Sequence, residues 1–171
     1  ILYAYPSYFS EELIDAIADI PEVCKYIDIP LQHITNLSLL RMNRPPRQHT
    51  EDLLYKLRDR IPGLALRTTF ISGFPGETEE GFLQTIDIVK KVEFDQAYIF
   101  RYSKRKNTPA SEMANQLSES IKEERNQHLL KVMNEIGEKR FNTFIGKSVE
   151  VLVTGPSRKN SARLEGRTRC H

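Results

Sequence analysis

The chain has 171 residues, of which 39% are apolar and 28% charged, and it contains no tryptophan. These values are typical of a soluble globular protein with one medium domain, or with a domain and a small module. No apolar stretch approaches the roughly 20 residues of a transmembrane helix, and the first residues lack the basic start of a signal peptide. We therefore expect no membrane partner. We also expect the protein to be a monomer that is located in the cytoplasm or, in a eukaryote, in an organelle.

Charge is distributed unevenly along the chain. Residues 1–100 carry 10 Lys and Arg against 15 Asp and Glu, a balance of −5, whereas residues 101–171 carry 15 against 8, a balance of +7. An acidic first part joined to a basic second part predicts a catalytic body with a polyanion-binding end. A solvated basic helix and tail without a partner is the alternative.

The cysteines argue against a metal site within the chain. There are two, Cys24 and Cys170, at opposite ends of the sequence and without a CxxC spacing, and there are only four histidines. An iron–sulfur cluster requires three or four thiolates. This chain cannot supply them, so no metal ligand is assigned.

In chain order, the apolar pattern predicts strands at residues 1–5, 26–31, 64–71 and 94–102. Helices are predicted at 11–19 after the cap Ser10, at 37–42, from the cap Thr50 to Pro62-Gly63, and at 78–91. This alternation predicts an α/β fold of parallel βαβ units with right-handed crossovers. Four strands are too few for a closed eight-stranded barrel, so we expect part of one.

The last third of the sequence differs in character. Residues 118–144 are predicted to form one long helix with Ile121, Leu129, Val132 and Ile136 on its buried stripe. A strand at 149–153, a turn at 155–157 and a basic hairpin-like tail follow. We expect a domain at 1–145 and an incomplete β-module at 146–171. Because the chain begins without Met in a predicted strand, we interpret it as a fragment.

The most informative stretch is residues 71–80, where an apolar strand runs into a glycine-rich turn and an acidic helix start. Gly73 and Gly76 permit backbone angles or close approaches that a Cβ would obstruct. The acidic residues after the turn suit the positive end of the following helix. On geometry alone, an ordinary strand–turn–helix corner is the favoured interpretation.

Two polar side chains on the predicted strands are candidates for ligand contact. Gln32 follows a strand at the edge where parallel α/β proteins bind ligands, and it can both donate and accept, which suits a ribose or an amino-acid group. Arg67, inside a barrel, would require an anion such as a carboxylate. A Gln32–His33 loop pair with satisfied hydrogen bonds, and an outward orientation or a pairing with Asp28 for Arg67, remain open.

Tyr102 ends the last predicted strand and could pack on a purine, and the basic residues around it could meet phosphate or be solvated. Further cations surround the last β segment at a density typical of phosphate-contact surfaces. They predict an RNA-binding surface, with a solubilising tail as the alternative, and comprise Lys147, Arg158, Lys159, Arg163, Arg167 and Arg169.

Several segments together, in order, resemble the radical S-adenosylmethionine (SAM) methylthiotransferases: residues 30–32, 42–45, 73–80, 102–103, 108–110, 122–125 and 164–168. The resemblance covers nearly the whole chain. It implies the C-terminal part of a radical SAM partial (β/α) barrel, followed by the start of a small β-barrel RNA-binding module called TRAM. It also implies an enzyme that inserts sulfur and a methyl group into an unactivated C–H bond, using SAM and 4Fe–4S clusters whose CxxxCxxC ligands this chain lacks.

The resemblance further implies a cofactor pocket formed by Gln32, Arg67, Gly73 and Tyr102, and a buried Cys24. No catalytic residue is assigned. The first eighty residues are most similar to the branch that modifies an aspartate of a ribosomal protein, and the remainder to the branch that modifies tRNA adenosine. We expect tRNA as the substrate, with the ribosomal protein as the alternative. A non-catalytic RNA-binding fragment is the alternative from another class, since the chain alone should be inactive.

Overall fold

A computed structural model describes residues 1–170. Its strands are β1 (Tyr26–Gln32), β2 (Ala65–Ser72), β3 (Gln96–Arg101), β4 (Val151–Pro156) and β5 (Leu164–Thr168). Its α-helices are α1 (Glu11–Asp19), α2 (Asn36–Arg41), α3 (Arg47–Arg60), α4 (Glu79–Val92), α5 (Pro109–Glu112) and α6 (Glu119–Asn142), with a 3₁₀ turn at Pro6–Tyr8.

The predicted α/β architecture is confirmed. Strands β1, β2 and β3 form a parallel sheet in that order, and β4 pairs with β5 as an antiparallel hairpin. Alternate residues of β1 and β2 are buried in one core with side chains of α1, α3, α4 and α6. Leu66 and Phe70 face this core, whereas Arg67 between them faces the other side of the sheet, as the period of two in a strand requires.

The first predicted strand, residues 1–5, is not a regular strand. The Ile1 amino group donates to the Tyr26 carbonyl (2.9 Å) and the Ala4 N–H to the Asp28 carbonyl (2.8 Å), so the segment lies beside β1. Tyr3 has a φ of 58°, outside the extended region. This single left-handed residue interrupts the pairing.

The helix boundaries follow the capping signals with one exception. Helix α1 has the predicted bounds, and the Ser10 hydroxyl accepts from the Leu13 N–H at 3.2 Å. Helix α3 begins at Arg47 rather than after Thr50, so that prediction is wrong. Pro46 occupies the cap with a φ of −58°, which suits a helix start, and Thr50 lies buried inside the first turns.

Two predicted burials are wrong. Ile121 of α6 is 39% exposed, while Leu129, Val132 and Ile136 are buried as predicted. The first turns of α6 lie on a polar loop instead of the apolar core, and polar side chains are buried there. Cys24, implied to be buried, is exposed because it lies in the loop between α1 and β1.

The β4–β5 hairpin follows α6, and the predicted tail hairpin is present. The Arg169 guanidinium donates to the Pro21 carbonyl, in the loop that precedes β1. The hairpin therefore meets the body near the amino-terminal edge of the parallel sheet. No helix within residues 1–170 is long and apolar enough to cross a bilayer.

Candidate functional site

The carboxyl ends of the three parallel strands meet at one edge, which we call the carboxyl edge. Gln32 ends β1, Gly73 follows β2 and Tyr102 follows β3. Strands β2 and β3 are in register along their length, with Ser72 opposite Arg101, whereas the pairing of β1 with β2 shifts between Ile29 and Gln32. Three of the four predicted cofactor residues are thus brought together, as expected for a parallel sheet.

Gln32 has the properties of a ligand contact. Its φ is 69°, a left-handed conformation that costs a non-glycine residue about 1–2 kcal/mol. Its side chain is half-buried, and the amide makes no hydrogen bond within residues 1–170. A strained backbone that presents an unengaged donor and acceptor is characteristic of functional positions.

The turn after β2 requires both of its glycines. Gly73 has a φ of +75° and Gly76 one of +80°. A Cβ on Gly73 would collide with the Lys122 side chain of α6, and a Cβ on Gly76 with the Arg41 guanidinium of α2. Arg41 itself donates to the Pro75 carbonyl at 2.9 Å. Gly73 therefore allows α6 to close directly on the turn, whereas at Gly76 the flexible end of Arg41 could shift and the positive φ is the reason for the glycine.

Glu77 connects this turn to its surroundings. The residue is 7% exposed, and its Oε2 accepts from the Gly73 N–H at 3.0 Å and lies 3.1 Å from His33 Nε2. Arg125 of α6 donates to Glu77 Oε1 (2.8 Å) and to the Glu77 carbonyl (3.0 Å). One buried carboxylate thus joins the end of β1, the glycine-rich turn and α6.

The hydrogen bonds of His33 define its tautomer. Its Nδ1 accepts from the backbone N–H groups of Ile34 (2.9 Å) and Thr35 (3.1 Å), so the ring proton lies on Nε2 and is donated to Glu77. The ring is 1% exposed. His33 therefore fixes the backbone directly after the strained Gln32 and is shielded from solvent.

Arg67 lies elsewhere. It is opposite Asp28 in the register, and its Nη2 donates to Asp28 Oδ2 at 2.7 Å, with side-chain exposures of 7% and 0%. This hydrogen bond raises the pKa of Arg67 above its ordinary value. Arg67 precedes Ser72 by five residues, about 16 Å of strand. The structure shows the pairing with Asp28, and Arg67 is distant from the carboxyl edge.

The Tyr102 ring is enclosed by the protein. It meets Phe74 edge-on with centroids 5.5 Å apart, and the Lys122 ammonium lies 5.3 Å from its centroid. Its backbone N–H donates to the Ser72 carbonyl at 2.8 Å. A purine would therefore meet the strand-end backbone here before it met the ring.

The predicted RNA-binding residues of the tail are all exposed, and Arg169 is paired with Glu150 at 3.2 Å. A cavity of about 650 Å³ separates the tail from the body, with Lys147 and Cys170 on one side and Tyr26 and Ala65, at the starts of their strands, on the other. The tail therefore joins the body at the edge opposite Gln32, Gly73 and Tyr102.

Comparison with known proteins identifies the class. The sequence profile of the Radical SAM superfamily matches residues 2–89, and the chain belongs to this superfamily. Within it, the chain is similar to methylthiotransferases, which confirms the resemblance predicted from the sequence.

Relatives from both branches match almost the whole chain. The ribosomal protein uS12 methylthiotransferase RimO of Desulforamulus reducens is 43% identical over 169 residues, 98% of this chain and 38% of the relative. The tRNA-2-methylthio-N(6)-dimethylallyladenosine synthase of Alkaliphilus oremlandii is 46% identical over 167 residues, which are 97% of this chain and 36% of the relative. The RimO of Heliobacterium modesticaldum is 46% identical over 154 residues, which are 90% of this chain and 34% of the relative. The chain spans just over a third of the length of these relatives.

Superfamily membership implies SAM and a 4Fe–4S cluster, and the residues of the chain fit the first group only. The unengaged amide of Gln32 and the strand-end backbone at Gly73 suit the polar adenosyl moiety of SAM. For a cluster, residues 1–170 contain no group of three or more Cys, His, Asp or Glu side chains that could bind a metal ion. Cys24 is exposed and Cys170 half-buried.

Proposed function

We propose that the protein to which this chain belongs is a methylthiotransferase that modifies adenosine in tRNA. The observation that carries the methylthiotransferase assignment is the identity of 41–46% to relatives of both branches over 90–98% of the chain, and the choice of tRNA rests on the charge distribution. Composition or fold alone would not distinguish this chemistry from other uses of a parallel sheet.

In this proposal, the carboxyl edge binds SAM. Gln32 contacts the adenosyl ribose through its amide, and the backbone at Gly73 and Tyr102 lines the purine. Glu77 and His33 hold these backbone positions in place and do not touch the cofactor. SAM bound at this edge would supply the radical chemistry that an unactivated C–H bond requires. Arg67 stabilises the sheet by neutralising Asp28.

The charge distribution supports tRNA as the substrate. Residues 101–171 have a balance of +7, and the six basic residues of the tail are exposed to solvent, as phosphate contacts require. A TRAM-like role for residues 146–171 rests on the same observation. Ribosomal protein uS12 is the second candidate, supported by the 43% identity to a uS12-modifying relative.

Complementation in cells tests the substrate. The complete polypeptide is expressed in one bacterial strain that lacks its tRNA methylthiotransferase and in a second strain that lacks its uS12 methylthiotransferase. We expect mass spectrometry to detect restored methylthioadenosine in the tRNA of the first strain and no change in the uS12 of the second. Restoration only in uS12 would refute the tRNA assignment. A Gln32→Ala polypeptide is the control for dependence on the SAM site.

A further inference from the structure

We propose that the loop after β3, residues 101–106, binds phosphates of the RNA substrate, and that the cavity beside it receives one nucleotide next to the carboxyl edge. We call this loop the cationic loop. The proposal rests on the proposed tRNA substrate and assigns the contact to a different surface from the basic tail.

The cationic loop carries four cations in six residues, Arg101, Lys104, Arg105 and Lys106, and all four are exposed. Of these four cations, only Arg101 is paired with a carboxylate within residues 1–170. Exposed cations without intramolecular partners are available to an external anion, and single-stranded RNA presents one phosphate per nucleotide.

Glu123 neutralises one of the four loop cations, Arg101, and other carboxylates are engaged by residues outside the loop. Glu123 pairs with Arg101, Glu119 lies 2.8 Å from the Lys122 ammonium, and Glu79 lies 3.1 Å from the Arg125 guanidinium. The loop therefore keeps a net positive charge that faces solvent.

The backbone of the loop is held at both ends. The Tyr102 N–H donates to the Ser72 carbonyl at 2.8 Å, and the Thr108 hydroxyl donates to the Arg105 carbonyl at 2.8 Å. Between them, Asn107 adopts a left-handed φ of 63°. An ordered loop loses less conformational entropy on binding than a flexible one, which favours a contact surface over a merely solvated segment.

A cavity of about 420 Å³ adjoins the loop, within the size range of small-ligand sites. Its wall includes Phe100, which is 55% exposed, together with Arg101 and Lys104. It also includes the buried residues Tyr102 and Asn126, and Glu119, whose side chain is 77% exposed and pairs with Lys122. An exposed ring beside flanking cations matches the base and the phosphate of a nucleotide.

Position separates this surface from the tail. Strand β3 has six residues, about 20 Å, between the amino-terminal edge, where Lys147 and Cys170 lie, and the carboxyl edge, where the cationic loop begins. An RNA held by the loop lies next to Gln32 and Gly73, whereas the tail residues that meet the body lie at the other end of the sheet. We therefore assign local positioning of the reacting nucleotide to the loop.

A pair of matched triple variants of the 171-residue chain tests the proposal. One removes the loop cations (Lys104→Ala, Arg105→Ala and Lys106→Ala), and the other removes three exposed tail cations (Arg158→Ala, Lys159→Ala and Arg163→Ala). Affinity for an RNA stem–loop with an unpaired adenosine is measured by fluorescence anisotropy over a range of salt concentrations. Circular dichroism verifies that both variants are folded.

We expect the loop variant to bind RNA about tenfold more weakly, and the slope of log affinity against log salt to fall in magnitude by about 2, since each single-strand phosphate contact contributes about 0.7. Phe100→Ala should weaken binding without altering that slope, because the ring is uncharged. An unchanged affinity and slope in the loop variant would overturn the proposal. Equal competition by polyglutamate would overturn the RNA assignment of the loop in favour of an acidic peptide.

The tRNA assignment itself is tested separately. If the complete polypeptide modifies tRNA while its loop variant retains wild-type RNA binding, the loop proposal fails and the proposed function stands. If it modifies only uS12 and the chain does not bind RNA, both fail.

Discussion

Replacing Arg67 with alanine should destabilise the chain strongly, because it would leave a buried carboxylate without its counter-charge. Asp28 is fully buried and receives its ion-pair hydrogen bond from Arg67 at 2.7 Å. Breaking a buried pair by removing one partner costs about 3–5 kcal/mol. The guanidinium also lies 5.7 Å from the Tyr26 ring centroid and 5.0 Å from that of Tyr98, and those contacts would be lost as well.

Urea unfolding followed by circular dichroism measures this cost. For a slope of about 2 kcal/mol/M, the expected loss moves the unfolding midpoint by about 2 M. The double variant Asp28→Asn with Arg67→Met removes both charges and should recover most of the stability, since apolar or neutral replacements of buried pairs are often tolerated. Exposed Arg158→Ala is the control, with a change below about 0.5 kcal/mol.

The same variants separate a structural role of Arg67 from cofactor binding. We expect the double variant to bind SAM like the wild type in equilibrium dialysis, and Gln32→Ala to bind it more weakly. The reasoning would be refuted by an Arg67→Ala chain of near wild-type stability, or by a stable double variant that has lost SAM binding.

Three further predictions concern the turn and the sheet. Glu77→Ala should lower the free energy of unfolding, measured in urea, by about 3–5 kcal/mol. Glu79→Ala is the control and should lower it by under about 1 kcal/mol, because that carboxylate is 69% exposed. Equal losses would contradict the structural role of the buried Glu77 carboxylate. Gly73→Ala should destabilise more than Gly63→Ala, because both have positive φ but only the first would clash with α6. Burial raises the pKa of Tyr26 above its ordinary value of about 10. The stability that the neutral Tyr26 side chain contributes is therefore complete below about pH 10 and is lost as the pH rises through the folded-state pKa. Tyr26→Phe should make the free energy of unfolding depend less on pH above about 10.

Local signals in the sequence predicted most of the fold. Ser10 and the apolar spacing defined α1 to the residue, and the apolar runs of β1 and β2 placed both strands within one residue at each end. The misses have specific causes. Ile121 satisfied the helical period but lies where α6 covers a polar turn, and residues 1–5 had a strand composition that the backbone of Tyr3 interrupts.

The site was predictable only in part. Gln32 and Gly73 were correctly placed at one edge of the sheet, because parallel strands bring their carboxyl ends together, and their contact with the cofactor stays a prediction. The network around Glu77 was missed, since its partners His33 and Arg125 are 44 and 48 residues away in sequence and no local pattern joins them. The sequence analysis explained Glu77 only by the acidic start of the helix that follows it. The pairing of Arg67 with Asp28 was identified only from the register of β1 and β2, and the predicted cofactor contact of Arg67 is tested by the variants described above.

The most direct test of the central claim is a competition between the two substrates. The complete polypeptide, with its clusters reconstituted, is supplied with SAM, a sulfur source and reductant in the presence of equal amounts of unmodified tRNA and ribosomal protein uS12. Mass spectrometry of both products should show methylthiolated adenosine in tRNA and unmodified uS12. Methylthiolation of uS12 with unchanged tRNA would contradict the account.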